Sequence, residues 1–350
     1  MNTILFAGNF LSASTGIVGI SEELAPLLRR RGWHVITASH HLNRVLRMLD
    51  FWLTALKYRK DYQIVVVEVY SFGAFRWAEL LCLLLRRLKK SYCLTLHGGR
   101  LPEFAEQYPR RFRKLIQSAA VVTTPSQYLK KEFSNIQKDI HYIPNGINLH
   151  RYEYHDLENI SPFLVWMHGI GSAYNPQLAI KVMTYLMNEY PDAKLRMIGP
   201  DSGDGTLDAV RALGEDLGVI NNITITGAIK KDQVNHYFQE GCIYINTTNY
   251  ESFGIAVMEA AACGLCIVTT NVGEMPYLWE DGVDALLVPP DDPVAMTEAV
   301  LRILGDAPLA RRLSRNARKK AENYDWGEII PRYEAVFIDG INHGMLNQYE

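Results

Sequence analysis

Residues 244–270, YINTTNYESFGIAVMEAAACGLCIVTT, decide the fold that we expect for this chain. The first apolar run ends at Asn246, a polar loop follows, and a helix is predicted to begin near Ser252. The helix ends at Gly264 and a second apolar run follows, which is the strand, loop, helix and strand order of parallel α/β layers. The N–H groups and the positive dipole at the start of such a helix form a binding site for anions.

Two carboxylates lie in this stretch: Glu251 just before the helix and Glu259 about two turns further along it. Each could accept hydrogen bonds from the vicinal hydroxyls of a sugar or ribose while the helix start binds a phosphate. The alternative is that Glu251 is only an acidic residue that interacts favourably with the dipole at the helix N-terminus, and that Glu259 lies on a solvated face. The neighbours of Glu259 are apolar or small, and a carboxylate among such residues is costly without a partner, which favours the binding role.

Short aliphatic runs alternate with segments of helical period along the whole chain, which predicts an α/β fold. In the first half we predict strands at residues 3–7, 33–38, 63–69, 92–97, 121–124 and 140–143. In the second half we predict strands at residues 163–167, 193–198, 223–226, 243–246, 266–269 and 285–288, and helices at 176–189, 206–217, 232–240, 254–262 and 293–304. We therefore expect two doubly wound units with ligand sites at the carboxyl ends of their strands.

Length and charge agree with two domains. A chain of 350 residues with 48% hydrophobic residues can form about two cores, and residues 144–162, which lack a sustained period, are predicted to connect them.

The net charge of −2 argues against nucleic acid as a partner. Residues 1–150 nevertheless carry 21 Lys and Arg against 10 Asp and Glu, and residues 151–350 carry 15 against 28. This asymmetry predicts that the two halves meet different partners.

The cysteines and the hydropathy predict a cytoplasmic protein. Five scattered cysteines do not form a disulfide framework, and the chain starts on a strand-like segment without a basic leader. Cys263 and Cys266 form a C-x-x-C, but they lie where a helix meets a strand, which favours a buried core over a redox site. The most apolar stretch, residues 75–90, has about 11 residues before its charges begin, well short of the roughly 20 that cross a bilayer.

The spacing of Glu251 and Glu259, with SFGIAVM between them, resembles the Glu-x7-Glu motif of retaining glycosyltransferases of the GT4 type. The resemblance covers nearly the whole chain through IPNGIN (143–148), MIGPDSGDGTLD (197–208), LHGG (96–99) and the strand and loop at 262–292. It implies the GT-B fold, in which two Rossmann-like, doubly wound parallel-sheet domains face a central cleft. It also implies an acceptor domain at residues 1–155 with a returning helix at 325–350, and a donor domain at 160–324.

The resemblance implies roles for individual residues. Glu259 is expected to bind the ribose of a nucleotide-sugar donor and Glu251 the transferred sugar. His97 resembles a histidine near the reacting centre, with a capped strand end as the alternative. Donor phosphates or sugar are expected to meet Gly16 and the backbone N–H groups at the start of the helix, those of Ser252, Phe253, Gly254 and Ile255. The family's second glycine after Gly16 is Ile17 here.

One departure from the family concerns the donor diphosphate. Ile170 and Asn175 stand where the family has an Arg and a Lys that bind it. Preorganised cations stabilise such a leaving group strongly, so other groups are candidates for the charge, namely Lys230, Lys231 and Arg100. No Asp-x-Asp pair follows a strand, so we expect neither a metal nor a cofactor, the nucleotide sugar being a substrate.

The resemblance therefore implies a metal-independent retaining glycosyltransferase that moves a sugar from a nucleoside-diphosphate sugar to a saccharide or lipid-linked acceptor in cell-surface polysaccharide or glycolipid synthesis. The alternatives are a sugar-nucleotide epimerase or a phosphorylase of the same fold, and a non-catalytic nucleotide-sugar binder. The basic residues Arg100, Arg110, Arg111 and Arg113 of the acceptor domain fit attachment to the anionic inner face of the membrane. Solvated helix ends are the alternative for these cations.

Overall fold

The computed structural model describes residues 2–15, 18–137 and 139–346. The chain forms two compact units: the first comprises Met1–Gly146 and Trp326–Glu350, and the second comprises Ile147–Asp325. The first domain was expected to reach residue 155. The observed boundary lies earlier because Ile147 and Tyr152 are buried in a core of the second unit.

The first unit contains a parallel sheet of six strands in the order β2-β1-β3-β4-β5-β6. The strands are β1 (Thr3–Ala7), β2 (His34–Ala38), β3 (Ile64–Val69), β4 (Ser91–Leu96), β5 (Val121–Thr124) and β6 (Ile140–Tyr142). The helices are α1 (Ser12–Thr15), α2 (Ile20–Arg30), α3 (Arg44–Lys57), α4 (Phe75–Arg87), α5 (Leu101–Gln107), α6 (Pro109–Ile116), α7 (Gln127–Glu132) and α15 (Trp326–Leu346). Every strand predicted in this half is present, with ends that differ by no more than one residue.

The last helix, α15, packs on the first unit's sheet although it follows the second unit in sequence. Trp326, Ile329, Tyr333 and Phe337 are buried in one core with Phe6. Phe337 meets Phe6 edge to face with ring centroids 6.1 Å apart. The apolar face of this helix therefore packs the C-terminal part of the chain against the sheet formed by its N-terminal part.

The second unit contains a parallel sheet of six strands in the order β12-β11-β10-β7-β8-β9. The strands are β7 (Phe163–Met167), β8 (Lys194–Ile198), β9 (Ile223–Ile225), β10 (Ile243–Asn246), β11 (Cys266–Thr270) and β12 (Leu286–Val288). The helices are α8 (Pro176–Leu186), α9 (Thr206–Asp216), α10 (Val234–Gln239), α11 (Ile255–Cys263), α12 (Met275–Leu278), α13 (Pro293–Gly305) and α14 (Ala307–Glu322). The doubly wound α/β class expected from the sequence is confirmed in both units.

Several helices of the second unit differ from the sequence-based expectation: α8 ends at Leu186 rather than at residue 189, and α12 was not predicted. Helix α11 (Ile255–Cys263) lies within one residue of the predicted range 254–262, but it begins three residues after Ser252 because Gly254 adopts a left-handed conformation with φ of +84°. Helix α14 was not predicted. Four of its six buried residues are alanine or serine and its other residues are mostly charged, so the segment carries a weak hydrophobic signal.

The strand order locates a crevice in each sheet. In the second unit β7 and β10 are neighbours, and the chain leaves them toward opposite edges of the sheet. In the first unit β1 and β3 have the same relationship. Ligands of open α/β sheets bind at the carboxyl ends of such strand pairs. The loops after β7 and β10 therefore form the expected ligand site of the second unit.

Candidate functional site

Glu251 lies in the loop after β10 and its carboxylate faces the backbone that follows it. The Oε1 atom accepts hydrogen bonds from the N–H groups of Ser252 (3.0 Å) and Phe253 (3.2 Å). These two N–H groups were expected to face a diphosphate or a sugar. They instead donate to Glu251, in the loop that precedes the start of α11 at Ile255. The N–H of Ile255 is among those that a helix start leaves without an intrahelical acceptor.

The Glu251 loop is held by the turn after β11. The N–H of Glu274 donates to the carbonyl oxygen of Glu251 at 3.0 Å. Gly273 has φ of +53°, and a Cβ at this position would lie 2.0 Å from the same oxygen. Burial raises the pKa of the Glu251 carboxyl, the N–H groups of Phe253 and Ser252 oppose the rise, and the charge of Glu274 adds to it.

Glu259 is buried within α11, with 2% of its surface exposed. Its Oε1 atom forms an ion pair with Nζ of Lys231. Its Oε2 atom is buried and has no hydrogen-bond partner within the described residues. The alternative of a solvated face is therefore wrong for Glu259. A buried carboxylate oxygen with an unused lone pair is suited to accept a hydrogen bond from a ligand hydroxyl.

His168 and Asn246 are site residues that the sequence analysis missed. They follow or end the neighbouring strands β7 and β10, and His168 Nε2 lies 2.9 Å from Asn246 Oδ1. The His168 ring stacks on Tyr174 with centroids 4.5 Å apart. Burial lowers the pKa of His168 to about 4, so the ring is neutral near pH 7. The available signal was a polar residue at or directly after the end of each of two apolar strands.

The loops after β7 and β8 run side by side at the same end of the sheet. The N–H of Ile170 donates to the carbonyl of Pro200 at 2.7 Å, and the N–H of Ser202 donates to the carbonyl of Ile170 at 3.0 Å. Gly199 has φ of +140°, and a Cβ there would lie 1.8 Å from the carbonyl oxygen of His168. Only glycine permits this approach, which explains the Gly-Pro sequence in this loop.

The positions at which the family has its two cations are occupied differently here. Ile170 is fully buried in a hydrophobic core. Asn175 is left-handed with φ of +46° and donates through Nδ2 to Asp291 Oδ1 at 3.3 Å. Two lysines are candidates to replace these cations. Lys231 pairs with Glu259, and Lys230 is exposed.

His97 of the first unit directly follows β4. It is buried and stacks on Tyr70 with ring centroids 5.3 Å apart. Burial lowers the pKa of His97, and the nearby Glu68 opposes this change. Gly16, expected to approach the donor phosphates, lies outside the described residues.

A cavity of about 440 Å³ opens in the first unit where β1 and β3 end. It lies between α3 and α4, and its lining includes Arg44, Arg47, Glu68, Tyr70 and Trp77. Arg47 donates to Asn9 Oδ1 at 2.5 Å, which ties this cation to the loop after β1. The cavity combines two cations with aromatic surface, so it can hold a polar, anionic or partly apolar group.

The basic residues predicted on the acceptor side have different surroundings. Arg111 pairs with Glu79, its Nε lying 3.1 Å from Oε1, and Arg100 binds both oxygens of Glu103 at 2.8 and 2.9 Å. These two cations are therefore largely neutralised within the unit. Arg110 and Arg113 are exposed.

The cysteines lie in the buried core, as predicted. All five cysteines are free and buried, and burial raises the pKa of Cys263 and, to about 12, that of Cys266. Within the described residues no group of three His, Cys, Asp or Glu side chains could hold a metal ion. No helix in the described part of the chain is long and apolar enough to cross a bilayer.

Comparison with known proteins identifies the fold and then the family. A sucrose-phosphate synthase from Thermosynechococcus elongatus superposes with a TM-score of 0.78 at 18% identity, over 96% of this chain and 98% of that one. The Anabaena protein HepE, solved with UDP and glucose, superposes with a TM-score of 0.77 at 16% identity, over 96% and 99%. These similarities establish the GT-B fold.

Two family models match adjacent parts of the chain: Glycosyltransferase Family 4 at residues 16–151 and Glycosyl transferases group 1 at residues 155–320. The chain belongs to the GT4-type glycosyltransferases, as the Glu-x7-Glu motif predicted.

Curated relatives are D-inositol 3-phosphate glycosyltransferases. The one from Corynebacterium glutamicum is 28% identical over 47% of this chain and 40% of its own length. The one from Acidothermus cellulolyticus is 22% identical over 91% of this chain and 70% of its own length. The first of these matches thus spans about two fifths of the relative.

Proposed function

We propose that this protein transfers a sugar from a nucleoside-diphosphate sugar to a saccharide or lipid-linked acceptor, with retention at the anomeric carbon and without a metal. The family membership and the relatives' names support glycosyl transfer, and the UDP and glucose bound to HepE support a nucleotide-sugar donor. Cell-surface polysaccharide or glycolipid synthesis is the proposed setting.

The proposal rests mainly on the burial and the partners of the Glu259 carboxylate. It is a buried carboxylate with one oxygen paired to Lys231 and the other without a hydrogen-bond partner within the described residues. A buried acceptor left unpaired is costly, and the vicinal hydroxyls of a donor ribose would satisfy it. Glu251, at the start of the same helix, would then accept hydrogen bonds from the transferred sugar, and the N–H of Ile255 would face the diphosphate.

In the proposed mechanism the residues orient and stabilise rather than form a covalent intermediate. The acceptor hydroxyl attacks the anomeric carbon from the face that the diphosphate leaves, and the departing phosphate takes the hydroxyl proton. Glu251 orients the sugar, and helix N–H groups with Lys230 stabilise the leaving group. Burial lowers the pKa of His97 and so favours its neutral form, and we propose that it donates a hydrogen bond rather than a full positive charge.

The test is release of nucleoside diphosphate from a panel of nucleotide sugars, measured with and without saccharide and lipid-linked acceptors. We expect one donor to be consumed faster with acceptor, and NMR of the product to show the anomeric configuration of the donor. Glu251→Ala should abolish turnover and Glu259→Ala should weaken donor binding, whereas Glu298→Ala, at an exposed glutamate of α13, should change neither.

Other outcomes would contradict the proposal. Full kcat in both the Glu251 and Glu259 variants would overturn the site assignment. Conversion of the donor sugar to its epimer without acceptor would indicate an epimerase. Donor binding without any release would indicate a non-catalytic binder, the function favoured by the loss of both family cations at Ile170 and Asn175.

A further inference from the structure

Helix α3 of the first unit exposes a continuous apolar face. Starting just before the helix, large apolar side chains recur every three or four residues and are 36% to 65% exposed; they are Leu42, Val45, Leu46, Leu49, Trp52, Leu53 and Leu56. We call these seven residues the α3 stripe. This spacing aligns them along one side of the helix, while Met48 and Ala55 are buried. Soluble proteins rarely expose so many large apolar residues in one row without a partner.

The neighbouring helix also exposes large apolar residues. Helix α4 packs beside α3 and exposes Leu80 and Leu83, which are 40% and 39% exposed. The cavity of the first unit lies between these two helices. An apolar partner that covers the α3 stripe would therefore lie next to the mouth of this cavity.

Cations surround the stripe. On and just after α3, exposed positive side chains occur at Arg44, Lys57, Arg59 and Lys60, while the acidic residues of this stretch are Asp50 and the exposed Asp61. Helix α4 and the turn after it add exposed Arg76, Arg87 and Lys89. Apolar residues on one face with Lys and Arg beside them are the pattern of a helix that lies in the interface of an anionic bilayer.

The charge also argues against a second copy of the chain as the partner. A two-fold dimer would place the same surface patch of both copies face to face. The cations at Arg44, Lys57, Arg59 and Lys60 would then meet like charges, which is unfavourable in a low-dielectric contact. An anionic lipid surface instead neutralises them while its acyl region takes up the leucines and Trp52.

We propose that the α3 stripe and its flanking cations dock the protein on an anionic lipid bilayer. The surface differs from the one that the sequence suggested, because Arg111 and Arg100 are paired with carboxylates whereas the cations around α3 flank exposed leucines. Docking goes beyond the proposed transfer reaction and requires no nucleotide sugar. If transfer occurs, docking would hold the cavity of the first unit beside lipid-linked acceptors.

The test is flotation of the full chain with vesicles of phosphatidylcholine alone and of phosphatidylcholine mixed with phosphatidylglycerol. We expect binding to the mixed vesicles to exceed binding to the neutral ones by about tenfold or more, and to weaken at high salt. The double variant Leu49→Glu with Leu53→Glu should reduce binding to the mixed vesicles at least about tenfold. The control Val294→Glu, at a residue that is 49% exposed in the second unit, should bind like the unchanged protein.

Three results would overturn the proposal. The first is equal binding to neutral and anionic vesicles, and the second is undiminished binding of the double variant. The third is a dimer in solution that the double variant converts to monomer, since a second copy would then cover the stripe. Because both substituted leucines are about half exposed or more, circular dichroism and thermal unfolding of the variant should match those of the control. Activity on a water-soluble acceptor reports on the proposed function separately.

Discussion

Lys231 and Glu259 form an ion pair in the second unit, and only the lysine reaches solvent. The lysine side chain is 25% exposed and the glutamate side chain is 2% exposed. Lys231 belongs to the turn before α10, whereas Glu259 lies in the middle of α11. The lysine therefore compensates a carboxylate that the fold has removed from water, while the other oxygen of that carboxylate stays available for a ligand.

The first prediction concerns this pair. Lys231→Met should lower the free energy of unfolding by about 3 kcal/mol, because it leaves a buried carboxylate without its counter-charge. Urea denaturation checks the value, with Lys230→Met, at an exposed lysine, as the control within about 0.5 kcal/mol of the unchanged protein. Adding Glu259→Gln to Lys231→Met should recover part of the loss. Unchanged stability of Lys231→Met would show that the pair is not formed in solution.

The second prediction concerns pH and activity. Burial raises the pKa of Glu251. If the ionised form binds the sugar, kcat should fall as pH decreases through this raised pKa, at a higher pH than an ordinary glutamate would produce. Glu274→Gln removes a negative charge that contributes to the rise, so the acidic limb of the profile should move to lower pH. A limb that stays in place or moves to higher pH would contradict the role of Glu251. Glu298→Gln is the control.

The third prediction concerns Gly146 at the boundary of the first unit. A Cβ at this position would lie 2.4 Å from Cδ2 of Trp326, a buried residue at the start of α15. Gly146→Ala should therefore destabilise the protein by about 1–3 kcal/mol through overpacking. Gly305→Ala, where a Cβ meets nothing within 4 Å, is the matched control and should be neutral or slightly stabilising. Equal stability of the two variants in thermal unfolding would show that the Trp326 ring shifts to accommodate the added Cβ at no measurable cost.

The fourth prediction concerns His168. Its pKa is lowered to about 4 by burial, so the unfolded chain takes up its proton at higher pH than the folded chain does. Stability should therefore be lost as pH falls from about 6.5 toward 4, with about 3 kcal/mol of the loss due to this residue. His168→Gln should flatten the pH dependence in urea denaturation, whereas His155→Gln, at an exposed histidine, should not. Identical curves for the two variants would contradict the assignment.

Much of the fold and part of the site could be predicted from the sequence. Strand positions follow from local apolar runs, and the spacing of Glu251 and Glu259 follows from the geometry of one loop and one helix. The sequence predicted the start of α11 to within three residues, and its position at Ile255 depends on the left-handed conformation of Gly254. The pairing of His168 with Asn246 could not be predicted, because it requires β7 and β10 to be neighbours in the sheet.

The α/β class, the family and the two carboxylates of the candidate site can be read from the sequence, since each depends on residues close together in the chain. Which groups meet across long separations, and which faces remain uncovered, depends on how the elements pack in three dimensions. Lys231 reaches Glu259 because α10 packs on α11, and Ile170 fills a core position where the family has an arginine. The α3 stripe has the period of any buried amphipathic helix, and its exposure depends on whether another element packs on it.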